Sequence, residues 1–228
     1  MTPNLQGPQT IYDGGMAEGL RERKKRQTRQ HLSDVATGLF LERGFDAVTI
    51  AEIAHAADVS VNTVYNYFPA KEDLFLDRSK GVVERLSRYV RGRDEGESAA
   101  DAVLRELRIQ VESVSPTVGL MEGYARFMRV IEEADSLKAR LWHIQQEAAR
   151  HLEATLVEVS GAGAEDRTPV LVAGQLSWVH STLMACIGQE MVAGGKPAEV
   201  SRRALVLLDD IEDLLGEKVL NYARRTAE

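Results

Sequence analysis

The chain has 228 residues, of which 44% are hydrophobic, and this is enough apolar side chain for one large or two modest globular domains. No run approaches about 18 consecutive apolar residues, and the first twenty residues lack the basic region and apolar block of a signal peptide, so we expect no membrane contact. Its one cysteine, Cys186, excludes an intramolecular disulfide and is typical of a cytoplasmic protein.

The net charge of −7 is unevenly distributed along the chain. Residues 21–93 carry 14 basic and 10 acidic side chains, a balance of +4, whereas residues 94–228 carry 14 basic and 23 acidic ones, a balance of −9. Positive charge concentrated in one segment is typical of a nucleic-acid binder with a separate DNA-contacting unit.

The chain begins with residues 1–20, which are rich in glycine and proline and predict a disordered arm. The run RERKKRQTRQ follows and opens a helix predicted over Lys24 to Arg43, which Gly44 should end in the left-handed conformation. Such a basic run is often only a solvated helix face. Because the run precedes residues 49–71, contact with DNA phosphates or the minor groove is favoured, and Arg26 is the candidate residue for this contact.

Residues 49–71, TIAEIAHAADVSVNTVYNYFPAK, predict two short helices joined by a tight turn. Thr49 and Glu52 have the spacing of a capping box, and Ser60 can cap the second helix. Asp58 tolerates the left-handed backbone that the turn requires. These features together predict a helix-turn-helix.

The second helix of this pair has an inward face, Val64 and Phe68, and a polar remainder. Asn, Thr and Tyr side chains can bond base edges and phosphates, while a valine can meet a thymine methyl group. Tyr65 has an alternative reading as a partly buried residue. The predicted outward residues are Val61, Asn62, Thr63, Tyr65, Asn66 and Tyr67.

The segment resembles the TetR family of one-component bacterial transcriptional regulators. It departs from the family at Asp58, where glycine is usual, and at Ala70, where serine often caps the next helix. By position, the family implies phosphate contacts for Thr49 and Ser60, base-edge and backbone contacts for the next three residues, and phosphate or thymine-methyl contacts for Tyr65, Asn66, Tyr67 and Lys71. The resemblance covers about residues 24 to 75 and is carried by Gly44-Phe45, Thr49, Ile53-Ala54, Val59-Ser60, Thr63, Tyr65, Tyr67-Phe68 and Lys71-Glu72-Asp73-Leu74.

A helix predicted over Lys71 to Arg91 follows, and the resemblance implies that it links two domains. We therefore divide the chain into a DNA-binding domain (21–70), a linker helix (71–92) and a ligand-binding and dimerisation domain (93–228). Helical periodicity continues through this last part, and no stretch alternates with period two. The predicted fold class is all-α: a three-helix, helix-turn-helix domain followed by a helical bundle.

Two C-terminal helices are expected at a dimer interface. Residues 169–193 are apolar almost all round, and the helix predicted over Ala198 to Arg224 has one apolar stripe. The resemblance implies that this pair forms an isologous four-helix interface in a homodimer, and the alternative is burial within one subunit. The candidate interface residues are Leu176, Leu183, Ala204, Leu207, Leu208, Ile211 and Leu215.

The resemblance also implies an effector pocket inside the C-terminal bundle, and the apolar and aromatic residues of this part indicate a hydrophobic or aromatic ligand. Aromatic and methionine residues at helical spacing are also common in ordinary cores, so both readings stand. No metal-binding histidine spacing, nucleophile motif or acid–base pair is present, and we expect no cofactor, no metal and no enzymatic activity. The candidate pocket residues are Met121, Tyr124, Phe127, Met128, Trp142, His143, Trp178, His180 and Met184.

The leading hypothesis is a homodimeric repressor that binds a palindromic operator and is released by a small-molecule effector. A dimer would place its two reading helices about 34–36 Å apart, in successive major grooves. The alternatives are an activator, a regulator without a ligand, or an all-α enzyme or adaptor with an incidental helix-turn-helix.

Overall fold

The computed structural model of the protein describes residues 19–77 and 79–226, with the side chains of residues 79 and 80 excepted. Nearly all of the expected N-terminal arm lies outside the described residues. Every regular element in the described part is helical, which confirms the predicted all-α class. The α-helices are α1 (Leu20–Arg43), α2 (Ile50–Ala56), α3 (Val61–Tyr67), α4 (Lys71–Phe75), α5 (Ser79–Val83), α6 (Arg85–Arg91), α7 (Ala99–Glu112), α8 (Tyr124–Glu133), α9 (Asp135–Ser160), α10 (Thr168–Val192), α11 (Pro197–Leu214) and α12 (Glu217–Leu220), with a 3₁₀ turn at Pro116–Val118.

The helix-turn-helix forms through the local signals that predicted it. The Thr49 hydroxyl accepts the Glu52 amide proton at 3.2 Å, and the Glu52 carboxylate accepts the Thr49 amide proton at 2.8 Å. Asp58 has φ 53°, so the turn does use a left-handed residue. The Ser60 hydroxyl accepts the Thr63 amide proton at 3.0 Å and starts α3.

Three predicted helices differ from the structure in their bounds or in the conformation of the residue that ends them. The single helix expected from Lys71 to Arg91 is three short helices. Asp77, in the first break, pairs with Arg29 of α1, and Gly81 lowers the helix propensity of the middle helix. Gly44 has φ 85° and ψ 157°, a positive φ with an extended ψ in place of the expected left-handed stop. The last long helix ends at Leu214, before a break at Gly216, and not near Arg224.

The buried apolar residues form two cores. The C-terminal core joins α6 and α7 to α10, α11 and the second half of α9. The N-terminal core contains the residues of α1 to α4, and it also contains residues of α8 and the first half of α9. The residues that these last two helices contribute to the N-terminal core are Val130, Ile131, Ala134, Leu137 and Ile144.

Three aromatic or polar contacts fix α8 and α9 to the helix-turn-helix unit. The Phe127 ring stacks on the Phe75 ring with centroids 4.5 Å apart. Arg126 donates to the Leu41 carbonyl at 3.0 Å, and Arg140 pairs with Asp73 at 2.9 Å. The N-terminal core therefore includes residues from both sides of the predicted domain boundary at residue 93.

Among the helices in the described part of the chain, only α10 is long enough and apolar enough to cross a membrane. Its most apolar window has a mean hydropathy of 1.5. The sequence had led us to expect no such segment. In the structure α10 packs one side against α8, α9 and α11, and 33% of its most apolar window is buried inside the protein.

Candidate functional site

The exposed side chains of α3 form what we call the reading surface: Val61, Asn62, Tyr65 and Asn66, with Thr63 and Tyr67 half-buried beside them. Tyr65 is 50% exposed, which excludes the alternative that it belongs to the core. Val64 and Phe68 are fully buried and hold α3 against the N-terminal core. A short helix anchored through one face and polar on the other can enter a major groove without unfolding.

The two capping hydroxyls at this surface are exposed but already engaged. The Thr49 hydroxyl bonds Glu52, and the Ser60 hydroxyl lies 2.8 Å from that of Thr63 while it caps α3. The Thr49 amide and the Arg43 guanidinium lower the pKa of the Glu52 carboxyl to about 2. The Glu52 carboxylate of the capping box is therefore ionised at neutral pH.

An open groove of about 770 Å³ lies between the start of α1 and the end of α3. Basic residues of the predicted phosphate-contacting run form one wall, and Asn66 and Tyr67 form the other. Arg26 lies on the same helix and is exposed. The fold thus brings the basic run beside the reading surface. The wall on α1, which we call the basic wall, contains Arg21, Lys24 and Lys25, together with Leu20, Glu22 and Thr28.

Lys71 does not project with the other candidate DNA contacts. Its ammonium donates to the Phe45 carbonyl at 2.6 Å and lies 4.3 Å from the centroid of the Phe45 ring. Burial lowers its pKa. Because its ammonium bonds the Phe45 carbonyl, Lys71 holds the start of α4 against the N-terminal core, and its contact with a phosphate stays a prediction.

Arg29 was part of the basic run, and its structural role was missed. Its guanidinium donates to Asp77 at 2.7 Å and to the Tyr67 carbonyl at 2.6 Å, and it lies 4.2 Å from the centroid of the Phe68 ring. Arg29 therefore ties the end of α3 to α1 and to the turn after α4. No local sequence signal separates it from the exposed arginines of the same run.

Four of the nine candidate effector residues face outward. Met121, Trp142, His143 and Trp178 are exposed, so none of them lines an interior pocket. The prediction failed for them because helical spacing specifies a shared face and not the side of the bundle to which that face turns. The Trp142 and His143 rings contact each other at the surface, with centroids 5.1 Å apart.

The other five candidates are half-buried and divide between the two cores. Phe127 and Met128 pack on the N-terminal core, and Tyr124 and Met184 pack on the C-terminal core. His180 lies on α10, where burial and then the positive charge of Arg85 lower its pKa to about 4. Its Nε2 atom and the Ser177 hydroxyl are buried without a hydrogen-bond partner. Neither Arg85 nor Ser177 was a candidate site residue from the sequence.

The predicted interface residues also need correction. All except the half-buried Leu207 are buried inside the protomer, so they cannot form the surface that a partner contacts. For these six positions the alternative, burial within one subunit, was right. Other side chains of the same two helices are exposed and apolar: Val170, Leu171, Trp178 and Val192 on α10, and Val206 and Leu214 on α11.

Known proteins resemble this chain in both sequence and fold. Residues 32–77 match the family model described as bacterial regulatory proteins, tetR family. The chain is 28% identical over 153 residues to the HTH-type transcriptional regulator TcmR of Streptomyces glaucescens, an alignment covering 65% of this chain and 67% of TcmR. It is 40% identical over 62 residues to the transcriptional regulator LuxR of Vibrio harveyi, covering 27% of this chain and 30% of LuxR.

Among solved structures, a TetR-family regulator from Streptomyces coelicolor superimposes with a TM-score of 0.52 at 22% identity. The superposition covers 87% of this chain and 98% of that one. At this identity the likeness concerns the fold, and it extends through the C-terminal bundle as well as the helix-turn-helix.

Proposed function

The chain belongs to the TetR family of bacterial transcriptional regulators, and we propose from this that it is a homodimeric repressor released from its operator by a small-molecule effector. The observation that carries the proposal is the reading surface on α3, which lies beside a groove with a basic wall. Phosphate contacts position a protein on DNA, and base-edge contacts select the sequence. Both kinds of contact are available from this single face.

The DNA contacts are assigned from exposure. Val61, Asn62 and Tyr65 meet base edges and thymine methyl groups, while the basic wall meets phosphates. Asn66 and Tyr67 lie where the two sets join. As a cytoplasmic DNA-binding protein, the repressor would find its operator by electrostatic association and hold it through these α3 contacts.

The dimer is assigned to the exposed faces of α10 and α11. From residue 168 to residue 189, α10 has no Asp, Glu, Lys or Arg, and its one carboxylate, Glu190 in the last turn, is partly exposed and pairs with Arg203 of α11. Leu171 is 64% exposed, and Leu214 on α11 is 75% exposed. An uncharged face of this length on a surface helix is the mark of an interface, because isolated subunits avoid large apolar patches.

Effector release is supported by the continuity of the N-terminal core. Because α8 and α9 belong to that core, a movement of α8 against α10 would shift α4 and with it the reading surface. An effector that binds the shifted state more tightly would then weaken operator binding, and operator would weaken effector binding by the same factor.

The test is selection of bound sequences from random duplex DNA by the full chain. We expect a near-palindromic motif, and we expect Asn62→Ala combined with Tyr65→Ala to abolish it. The matched control, Gln145→Ala with Gln146→Ala, removes two exposed polar side chains of α9 and should keep the motif. No enriched motif at low salt, from folded protein, would refute the proposal.

A further inference from the structure

Two polar side chains on α10 are buried without a hydrogen-bond partner. They are the Ser177 hydroxyl and the His180 Nε2 atom, and among the described residues no other buried side-chain nitrogen or oxygen shares this condition. The two residues are three apart on α10 and therefore lie side by side on one helical face. We call them the buried polar pair.

An unpartnered polar group in a protein interior has a free-energy cost, because its hydrogen bond to water is lost and nothing replaces it. This free-energy cost is avoidable, because alanine in place of Ser177 and leucine in place of His180 would suit the same face of an apolar helix. Polar groups kept in such a position are therefore candidates for contacts with a molecule absent from the protein alone.

A chain of contacts connects Arg85 to α10. Its guanidinium donates to the Thr117 carbonyl at 2.9 Å, and the Tyr124 ring lies against Gly119, two residues further on, and also against Gly188 of α10. Arg85, at the start of α6, is close enough to His180 for its charge to lower the pKa of the imidazole, and burial lowers the pKa of Arg85 itself. Within residues 19–77 and 79–226, no carboxylate lies at ion-pair distance from this guanidinium, whereas Arg105 and Arg108 each contact two.

Apolar groups lie on the same side of α10. Tyr124 and Met184 pack on the C-terminal core, and Met184 follows His180 by one helical turn. The Tyr124 ring lies against Gly188, where an added Cβ would come within 3.7 Å of it. The region therefore combines one half-buried cation, two unpartnered polar atoms and an apolar wall.

We propose that the effector site is built on Arg85 and the buried polar pair, and that its ligand is an apolar small molecule carrying one acidic oxygen group. Arg85 binds the carboxylate, sulfonate or phenolate, Ser177 and His180 donate hydrogen bonds to it, and Tyr124 and Met184 contact the apolar body. The inference rests on the proposed effector-released function and specifies the chemistry of that effector.

The test compares two fluorescent probes with the same ring system. The sulfonate 8-anilinonaphthalene-1-sulfonate carries the acidic group, and N-phenyl-1-naphthylamine lacks it. Titrated into the full-length protein, the sulfonate should bind at least tenfold more tightly. Arg85→Gln should weaken sulfonate binding at least tenfold and change binding of the neutral probe less than twofold.

The matched control is Arg88→Gln, which removes the same charge from an exposed position on the same helix. It should leave both affinities unchanged. Should Arg85→Gln fail to fold, the combination of Ser177→Ala and His180→Leu gives the same test, with sulfonate binding weakened at least fivefold. Equal affinity for the two probes, or equal losses in Arg85→Gln and Arg88→Gln, would overturn the proposal.

Failure of this inference is distinguishable from failure of the repressor proposal. Operator binding without any probe tests the repressor, and the probe titrations test the site. Sulfonate binding that depends on Arg85 but leaves operator binding unchanged would support the site and refute effector release. Operator binding by a protein that does not discriminate between the probes would refute the site alone.

Discussion

The Lys71 ammonium has a structural role that its neighbours at the reading surface do not share. It donates to the Phe45 carbonyl and lies over the Phe45 and Phe40 rings, at 4.3 and 5.6 Å from their centroids. Lys71→Met keeps the apolar stem and removes these contacts. We expect a loss of about 1–3 kcal/mol in the free energy of unfolding, measured by urea denaturation, and an unchanged salt dependence of operator binding.

Lys25→Met provides the opposite case, since Lys25 is exposed on the wall of the groove. Its stability should stay within about 0.5 kcal/mol of the parent. The slope of log affinity against log salt should fall by about 1, because one phosphate contact is lost. A reduced salt slope in Lys71→Met would place that residue among the DNA contacts.

His180 makes stability depend on pH in a defined window. The unfolded chain binds a proton at this imidazole with a pKa near 6.5, whereas burial and Arg85 delay protonation in the folded chain to a pKa of about 4. The unfolded state thus binds more protons between these values, and stability falls as pH drops through the window. From pH 7 to pH 5 the contribution of His180 should fall by about 2 kcal/mol.

Urea denaturation of the parent and of His180→Leu at both pH values measures this contribution. Between pH 7 and pH 5 the free energy of unfolding should fall by about 2 kcal/mol less in His180→Leu than in the parent. Ser177→Ala changes the same buried region without removing a titratable group, and its pH dependence should parallel that of the parent. Parallel curves for His180→Leu and the parent would contradict the assigned burial.

At the scale of elements, α8 connects the two cores. A row of rings runs along its first turn and into the helix-turn-helix unit: Tyr124 to Phe127 at 6.3 Å, Phe127 to Phe75 at 4.5 Å, and Phe75 to Phe40 at 5.8 Å between centroids. Tyr124 is part of the proposed effector site. The row is therefore a continuous packed connection from that site to the platform beneath the reading surface.

The Phe75–Phe127 stack should show a measurable coupling energy. In a double-mutant cycle with Phe75→Leu and Phe127→Leu, followed by urea denaturation, we expect an interaction of about 0.5–1.5 kcal/mol. Trp142→Leu replaces an exposed ring on α9 and should couple to Phe75→Leu by less than about 0.5 kcal/mol. A coupling no larger than this control would mean that α8 and α4 do not act as one packed unit.

Sequence reasoning succeeded for elements that local chemistry specifies. The capping box at Thr49, the left-handed turn at Asp58 and the cap at Ser60 each involve residues a few positions apart, and the structure has all three. It failed where the partner is distant in sequence. Nothing near Lys71 indicates Phe45, and the apolar stripe of α8 does not reveal that it packs on Phe75.

At the scale of the whole molecule, the same inability to see distant partners explains why most of the predicted interface residues lie buried within the protomer. The apolar stripes of α10 and α11 drew attention to these two helices, but the regular stripe of each helix is the one that packs in the protomer's own core. The exposed side chains are fewer and interrupted by small or polar residues such as Gly174 and Gln175. A pattern of hydrophobicity does not distinguish a core inside one subunit from a core between two.

Trp178 is the best test of the proposed dimer, because it is a large ring near the middle of the uncharged face of α10 and is 45% exposed in the protomer. Buried aromatic residues near the centre of an interface carry much of its binding energy. Trp178→Asp should raise the dimer dissociation constant by roughly 30-fold or more, which corresponds to about 2 kcal/mol, as measured by sedimentation velocity.

Trp142→Asp is the matched control, since it places the same charge at the other tryptophan, which is also exposed but lies on α9. It should leave the dimer intact. The Trp178 variant should bind a full operator more weakly and a half-site as well as the parent does, because each α3 and its anchoring core are unchanged while the spacing of two reading surfaces is lost. Equal operator binding by both variants would show that α10 does not join the subunits, and that one protomer is enough to hold the site.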